Sequence, residues 1–177
     1  MIRQWLMGML YHKIESFFPQ ELYFELQNLA IHGNDSVYMD RSAGRALDSY
    51  AGPDNINPTI NDYCNNYFTD LGYTPNGAER FSQCRLQGTV PQTEYKVHQD
   101  AQFKEVTLLI YIHPIEADGT IFYDEDKKYP IEDTWKPNSG YWFNREQAPY
   151  HSYRNTLTCQ RWVFMYNILD RSMITLG

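Results

Sequence analysis

The residues of this chain most able to do chemistry are grouped around its five histidines, His12, His32, His98, His113 and His151. His98 stands in "EYKVHQD", two positions before Asp100. The stretch reads as a strand, with Tyr95 and Val97 supplying aromatic and β-branched character. Strand side chains alternate in direction, so an imidazole and a carboxylate at i and i+2 face the same way. Such a pair is either solvated surface or two ligands of a metal ion that needs a third. The spacing alone decides nothing: with 22 acidic residues and five histidines in 177, about 0.6 His-x-Asp or His-x-Glu matches arise by chance.

The third ligand has to come from elsewhere. His151 lies in "APYHSYRN", about fifty residues on, between two β-like runs, and Arg161 follows ten residues later at the head of "RWVFMYNIL". An arginine opening an apolar strand puts a permanent cation at the rim of an apolar interior, and a buried guanidinium needs an anionic partner. A dicarboxylate co-substrate would supply one, held by two parallel hydrogen bonds. His98, Asp100 and His151 together make the two-histidine, one-carboxylate set that holds non-haem Fe(II) and leaves positions open for a co-substrate and O₂. Two neutral imidazoles and one carboxylate leave a divalent ion with net positive charge, which favours chelation by an anionic 2-oxo acid. His113, in "IHPIE", reads as a turn and sits too near His98 in sequence to be the distal ligand. Arg154, three residues past His151, is the rival to Arg161. Tyr95 and Trp162 are divided between pocket and packing, and a strand tyrosine such as Tyr111 is often plain core.

These residues need elements to position them. "YHKIESFF" alternates as a first strand. "PQELYFELQNLAIHG" has Pro19 at a helix start, apolar residues at helical spacing and Gly33 as a stop. "NPTINDYCNNYFTDLG" has Asn57 as a cap, Pro58 at the first helical position and Gly72 as the terminating glycine. Between them, "NDSVYMDRSAGRALDSYAGPDN" is polar and turn-rich and reads as a long loop with short structure. After Gly72 come seven β-rich runs, from "RFSQCRLQGT" to "QRWVFMYNIL", separated by Gly, Pro, Asn and Asp. Many short strands at regular spacing point to a sandwich or jelly roll rather than to βαβ units. The expectation is one domain over residues 1–177, mainly β, with supporting helices and loops in about 1–75 and a jelly-roll core in about 76–177.

Composition bounds the partners. Net charge is −7, which argues against nucleic acid as the target. Tyrosine supplies 15 residues, each with apolar area plus a hydroxyl, suited to polar pocket walls and equally to an aromatic β core. Cys64, Cys84 and Cys159 are odd in number and widely spaced, so neither a zinc site nor a disulfide framework is indicated. A reducing, cytoplasmic setting is the expectation. Cys159 reads as a small buried hydrophobe rather than a nucleophile. The N-terminal "MIRQWLMGML" is too short to span a membrane and lacks a cleavage site. Arg145, Glu146 and Gln147 read as a solvated turn, and the charged "DEDKKYPIED" as an exposed hairpin, with a lid over the substrate as its functional alternative. Nothing in the sequence speaks to oligomeric state.

Over roughly residues 80–170 the chain resembles the 2-oxoglutarate- and Fe(II)-dependent dioxygenases, in particular their prolyl 4-hydroxylase-like branch. "EYKVHQD" resembles that branch's Tyr-x-x-His-x-Asp strand, and "VTLLIYIHP" its Thr-x-x-x-Tyr-Leu-Asn strand. "ADGTIFYDED" is similar to the Gly-Gly-x-Thr-x-Phe turn, and "WKPNSGYWFN" to the Pro-x-x-Gly-x-x-x-x-Phe strand. "HSYRNTLTCQRWVFMYNI" matches a histidine followed at about ten residues by a basic residue and an aromatic strand. The resemblance implies a double-stranded β-helix, a distorted cupin-like jelly roll. It implies Fe(II) on His98, Asp100 and His151, the distal carboxylate of 2-oxoglutarate on Arg161 and Tyr111, and Tyr95 beside the metal. The implied activity is hydroxylation of a peptidyl proline or a small molecule using O₂, with release of succinate and CO₂ and with ascorbate as an accessory reductant. The single glycine of "ADGT" and the "YIH" in place of Tyr-Leu-Asn depart from the pattern and bear on the substrate. Halogenating relatives have a small residue where Asp100 stands, so hydroxylation is the expectation. Two alternatives remain beside this one. One is a non-catalytic jelly-roll binding module; the other, a cupin enzyme using no 2-oxo acid, is disfavoured by the absence of a His-x-His pair.

Overall fold

Local signals place the elements. In the computed structural model, which describes residues 11–33, 38–40, 48–51, 54, 56–147 and 149–174, helix α1 spans Gln20–His32 and helix α2 spans Pro58–Asp70. The Asn57 side chain accepts from the Thr59 N–H at 3.0 Å, capping α2, while Pro58 needs no donor there. Gly72, just past the end of α2, adopts φ of 90°, which a side chain would resist. Both helices thus start and stop where the sequence signals put them.

The strands are β1 (His12–Ile14), β2 (Tyr38–Asp40), β3 (Asp48–Ala51), β4 (Arg80–Thr89), β5 (Thr93–His98), β6 (Lys104–His113), β7 (Thr120–Tyr123), β8 (Ile131–Glu132), β9 (Gly140–Asn144), β10 (Tyr150–Asn155) and β11 (Arg161–Asp170). They form two antiparallel sheets, ordered β1-β9-β6-β11-β4-β3-β2 and β5-β10-β7-β8. This is the mainly β jelly roll that the β-rich texture implied. Alternation along β11 divides its side chains between two cores. Trp162, Phe164, Tyr166 and Ile168 pack outward with Leu26, Ile60 and Phe68 of the helices. Val163 and Met165 face inward with Leu109, Tyr111, Phe122, Tyr141 and Phe143, between the sheets. The helices thus cover one face of the large sheet, and the interior between the sheets holds the chemistry-bearing residues.

Three features differ from the sequence reading. The polar stretch after α1 contributes β2 and β3, which extend the large sheet beyond β4; its remaining residues lie mostly outside those described. Strand β5 stops at His98, so Asp100 is brought to its neighbour by the irregular segment after the strand and not by strand alternation. Cys159 is exposed, not buried, because it lies in the bend between β10 and β11 rather than on a strand. The charged 124–133 segment does form a hairpin, with β7 paired to β8 and Tyr129 at 79% exposure. No described helix is long and apolar enough to cross a membrane, and the N-terminal run judged too short to do so falls in 1–10, outside the described residues.

The sheet also tolerates no side chain at Gly140, where β9 meets β6. A Cβ there would lie 1.9 Å from the Leu109 carbonyl oxygen and 2.9 Å from the Ile110 Cα. Backbone atoms in a central ladder cannot retreat, so Gly140→Ala is expected to lower stability by about 3 kcal/mol or more. Urea unfolding should show the midpoint falling at unchanged slope.

Candidate metal centre and anion pocket

Strands β5 and β10 pair antiparallel with His151 directly opposite His98, and their ring centroids lie 4.3 Å apart. Asp100 completes the group. Its Oδ2 accepts from the Thr107 hydroxyl at 2.6 Å and its Oδ1 from Lys104 Nζ at 2.8 Å, both on β6. One donor atom from each of His98, Asp100 and His151 then lies within 4.8 Å of the others. The Nδ1 of His98 stands 3.0 Å from the Lys96 carbonyl oxygen, and that of His151 stands 2.9 Å from the Pro149 carbonyl oxygen. A carbonyl only accepts, so Nδ1 carries the hydrogen in each ring and Nε2 keeps the lone pair a metal needs.

The protonation states fit that use. Burial pushes the pKa of His151 down to about 4, against the opposing pull of Asp100, so the ring stays neutral. Burial alone would raise the Asp100 carboxyl. Lys104 and His151, with the hydrogen bonds from Lys104 and Thr107, outweigh it and hold the group below the ordinary carboxylate value. Imidazoles held at Nδ1 by backbone carbonyls, with an ionised carboxylate held by Lys104 and Thr107, suit a divalent ion. Thr107→Val keeps the volume and removes the hydroxyl that aims Asp100. It is expected to weaken Mn(II) binding about tenfold in a calorimetric titration.

The second cluster centres on Arg161, the first residue of β11, which is 1% exposed. Its guanidinium lies 4.8 Å from the ring of Trp135, 5.3 Å from Tyr153 and 5.7 Å from Tyr111. Nε donates to the Asp118 carbonyl at 2.9 Å, while Nη2 is buried with no hydrogen-bond partner. A buried cationic donor left unbonded is costly, so this nitrogen is a ready position for an anion. Tyr111 is fully buried and gives its hydroxyl hydrogen to Asp133 Oδ2 at 2.8 Å, while accepting from the Thr120 N–H at 3.2 Å. Its ring lies under Arg161, but its hydroxyl hydrogen is directed to Asp133 rather than towards Nη2. Asp133 in turn is bound through both oxygens by Lys13 Nζ, at 2.7 and 2.8 Å.

The other sequence candidates separate clearly. Tyr95 stands edge-on to His98 at 4.9 Å and stacks on Tyr153 at 4.8 Å, so it walls the metal group. Trp162 belongs to the outer core, against Gly88. His113 ends β6 opposite Trp162 and is not part of the donor group. Arg154 is 43% exposed and pairs with Asp118 at 3.4 Å and Glu132 at 3.0 Å. Arg145, in the turn read as solvated, pairs with Asp170 at 3.2 Å. Lys104, Asp133, Lys13 and Trp135 were not singled out from the sequence. Thr107 opens the Thr-x-x-x-Tyr match, the one signal that pointed at any of the supporting residues.

Facing antiparallel sheets, with this donor group and a buried arginine between them, form a jelly roll similar in fold to those of solved 2-oxoglutarate and Fe(II) oxygenases. A Trichoplax adhaerens prolyl hydroxylase, solved in complex with a hypoxia inducible factor oxygen degradation domain peptide fragment, aligns over 99% of this chain and 91% of its own, with a TM-score of 0.70 at 16% identity. A 2OG-Fe(II) oxygenase family oxidoreductase from Burkholderia pseudomallei aligns over 94% and 89%, with a TM-score of 0.66 at 12% identity. HygX from Streptomyces hygroscopicus, solved with nickel and 2-oxoglutarate bound, aligns over 96% and 86%, with a TM-score of 0.66 at 8% identity. No protein-family profile and no curated protein matches the sequence. At these identities the likeness establishes the fold, and the function has to be argued from the site.

Proposed function

We propose that this chain is an Fe(II)- and 2-oxoglutarate-dependent oxygenase, with residues 1–177 forming one oxygenase domain. One observation carries the reading: a His–Asp–His donor set and a buried guanidinium with an unbonded nitrogen face the same interior. His98, Asp100 and His151 would hold Fe(II). Arg161 Nη2 binds the far carboxylate of 2-oxoglutarate. Iron with 2-oxoglutarate and O₂ supplies the oxidising chemistry, with succinate and CO₂ as co-products.

The chain's own part is positioning and exclusion. Thr107 and Lys104 keep Asp100 ionised and aimed, and the two backbone carbonyls fix the histidine tautomers. Phe122, Phe143 and Tyr141 keep water out of the space beside His151. Tyr111 forms a wall of the co-substrate pocket through its ring, and Tyr95 a wall beside the metal. Hydroxylation of a peptidyl proline or a small molecule is the reaction we assign. The peptide held by the Trichoplax hydroxylase, on a shared fold, supports a peptide substrate.

The test is succinate formation from 2-oxoglutarate by the purified protein with Fe(II), ascorbate and air, before any substrate is added. Thermal stabilisation by N-oxalylglycine, an unreactive analogue, is measured alongside it with and without Fe(II). Slow succinate release, or metal-dependent stabilisation by the analogue, is the expected result. Neither signal would replace the oxygenase by a jelly-roll binding module.

A further inference from the structure

Tyr11 is buried in the same interior and has no task in the scheme above. It precedes β1, which pairs with β9 so that His12 lies opposite Trp142 and Lys13 opposite Tyr141. His12 stacks on Trp142 on the outer face at 4.1 Å, and alternation turns its two neighbours, Tyr11 and Lys13, inward. Lys13 reaches Asp133, as described. Tyr11 is 2% exposed, stacks on Phe122 at 4.0 Å and meets Tyr141 edge-on at 5.5 Å. Phe122 is the ring that faces His151 at 6.3 Å, and Tyr141 lies 6.3 Å from Tyr111, over which Arg161 sits. Tyr11 therefore stands between the neighbours of the metal group and the neighbours of the arginine.

Its hydroxyl is buried and has no hydrogen-bond partner, like Arg161 Nη2. The contrast with the other interior tyrosines is informative. Tyr111 bonds Asp133, and Tyr141 donates to the Thr120 hydroxyl at 3.1 Å. A buried phenol ordinarily finds a partner, and one left without it is costly. Burial, and then the Asp133 carboxylate, push the Tyr11 phenol pKa upwards, so the group keeps its hydrogen and lies within the field of Asp133. A cation and a neutral donor, both unbonded and linked through Tyr141, which meets the Tyr11 ring and feels the Arg161 charge, call for an anion with more than one acceptor oxygen.

We propose that Tyr11 is a co-substrate-binding residue whose hydroxyl donates to the distal carboxylate of 2-oxoglutarate, the group held by Arg161 Nη2. This rests on the oxygenase reading above. Lys13 has the complementary positioning role: by binding both oxygens of Asp133 it offsets a carboxylate that would otherwise repel the ligand. The short edge strand β1, far from the metal ligands in sequence, thereby becomes part of the co-substrate site.

The experiment compares wild type with Tyr11→Phe in the Mn(II)-loaded protein. It measures binding of 2-oxoglutarate and of 2-oxobutanoate, which lacks the distal carboxylate, together with unfolding of the ligand-free protein. Tyr11→Phe is expected to weaken 2-oxoglutarate about tenfold, as loss of a hydrogen bond to a charged group should, and to leave 2-oxobutanoate unchanged. Ligand-free stability should hold or rise, because the substitution deletes a buried donor without a partner. A merely structural hydroxyl would give the reverse, a less stable protein with unaltered binding. An affinity for 2-oxoglutarate within about twofold of wild type, or an equal loss for both ligands, overturns the assignment. Failure of wild type to bind either ligand overturns the oxygenase reading itself.

Discussion

Replacing His98 by alanine is expected to weaken Fe(II) binding by at least about a hundredfold and to remove succinate formation. Loss of a residue that only orients a ligand costs about 10–100-fold in metal affinity, and loss of the ligand itself sets that range as a floor. The remaining pair, Asp100 and His151, cannot define the three-point face that leaves co-substrate positions open. His98 is the cleanest of the three to change. It is partly exposed at the end of β5, whereas His151 is buried against Phe122 and Phe143 and Asp100 anchors Lys104 and Thr107. Global stability should therefore change by about 0.5–1 kcal/mol at most, so a lost signal reports the site and not the fold. Anaerobic metal titration with succinate release checks both parts. Turnover at the wild-type rate would remove the metal assignment.

Arg161→Met is expected to weaken 2-oxoglutarate by about 150–5000-fold while leaving Mn(II) affinity unchanged. Breaking a buried ion pair by removing one partner costs about 3–5 kcal/mol, because the other charge stays buried and unpaired. Methionine keeps an apolar chain against Trp135, Tyr111 and Tyr153, so the loss isolates the charge. Arg161→Lys should lie between the two, since it restores the cation but loses the planar contact with those rings and the Nε bond to the Asp118 carbonyl. Calorimetry against 2-oxoglutarate, with 2-oxobutanoate as the ligand indifferent to the change, separates the carboxylate from the chelating end. Wild-type affinity in the methionine variant would reject Arg161 as the anchor.

Much of this molecule is written in short-range signals. Pro19 and Gly33, Asn57, Pro58 and Gly72 delimit the helices because capping and φ preferences are decided within a few residues. The β-rich runs after Gly72 mark the strands because alternation and turn residues are local too. His98, Asp100, His151 and Arg161 were legible as a set through their ordered context, and the structure brings the first three together. Neighbours beyond a turn were not legible. Asp100 joins the group through Lys104 and Thr107 and not through the strand alternation that first suggested it, because β5 ends at His98.

Pairings such as Lys13 with Asp133 span 120 residues and exist because β1 adds to the edge of β9 in one register. The same register turns Tyr11 inward, and a slip of one residue would turn it out. Whether Tyr111 offers its hydroxyl to a co-substrate or to Asp133, and whether Arg161 keeps an unbonded nitrogen, depends on which side chains the closed interior puts within 3 Å. The sequence by itself determined both helices, most of the strands and the candidate metal ligands, whose signals are local or carried by an ordered pattern. The tertiary structure decided which donors and acceptors are already satisfied and which are left for a ligand, because a hydrogen bond between distant segments exists only once the sheets are in register and water is excluded.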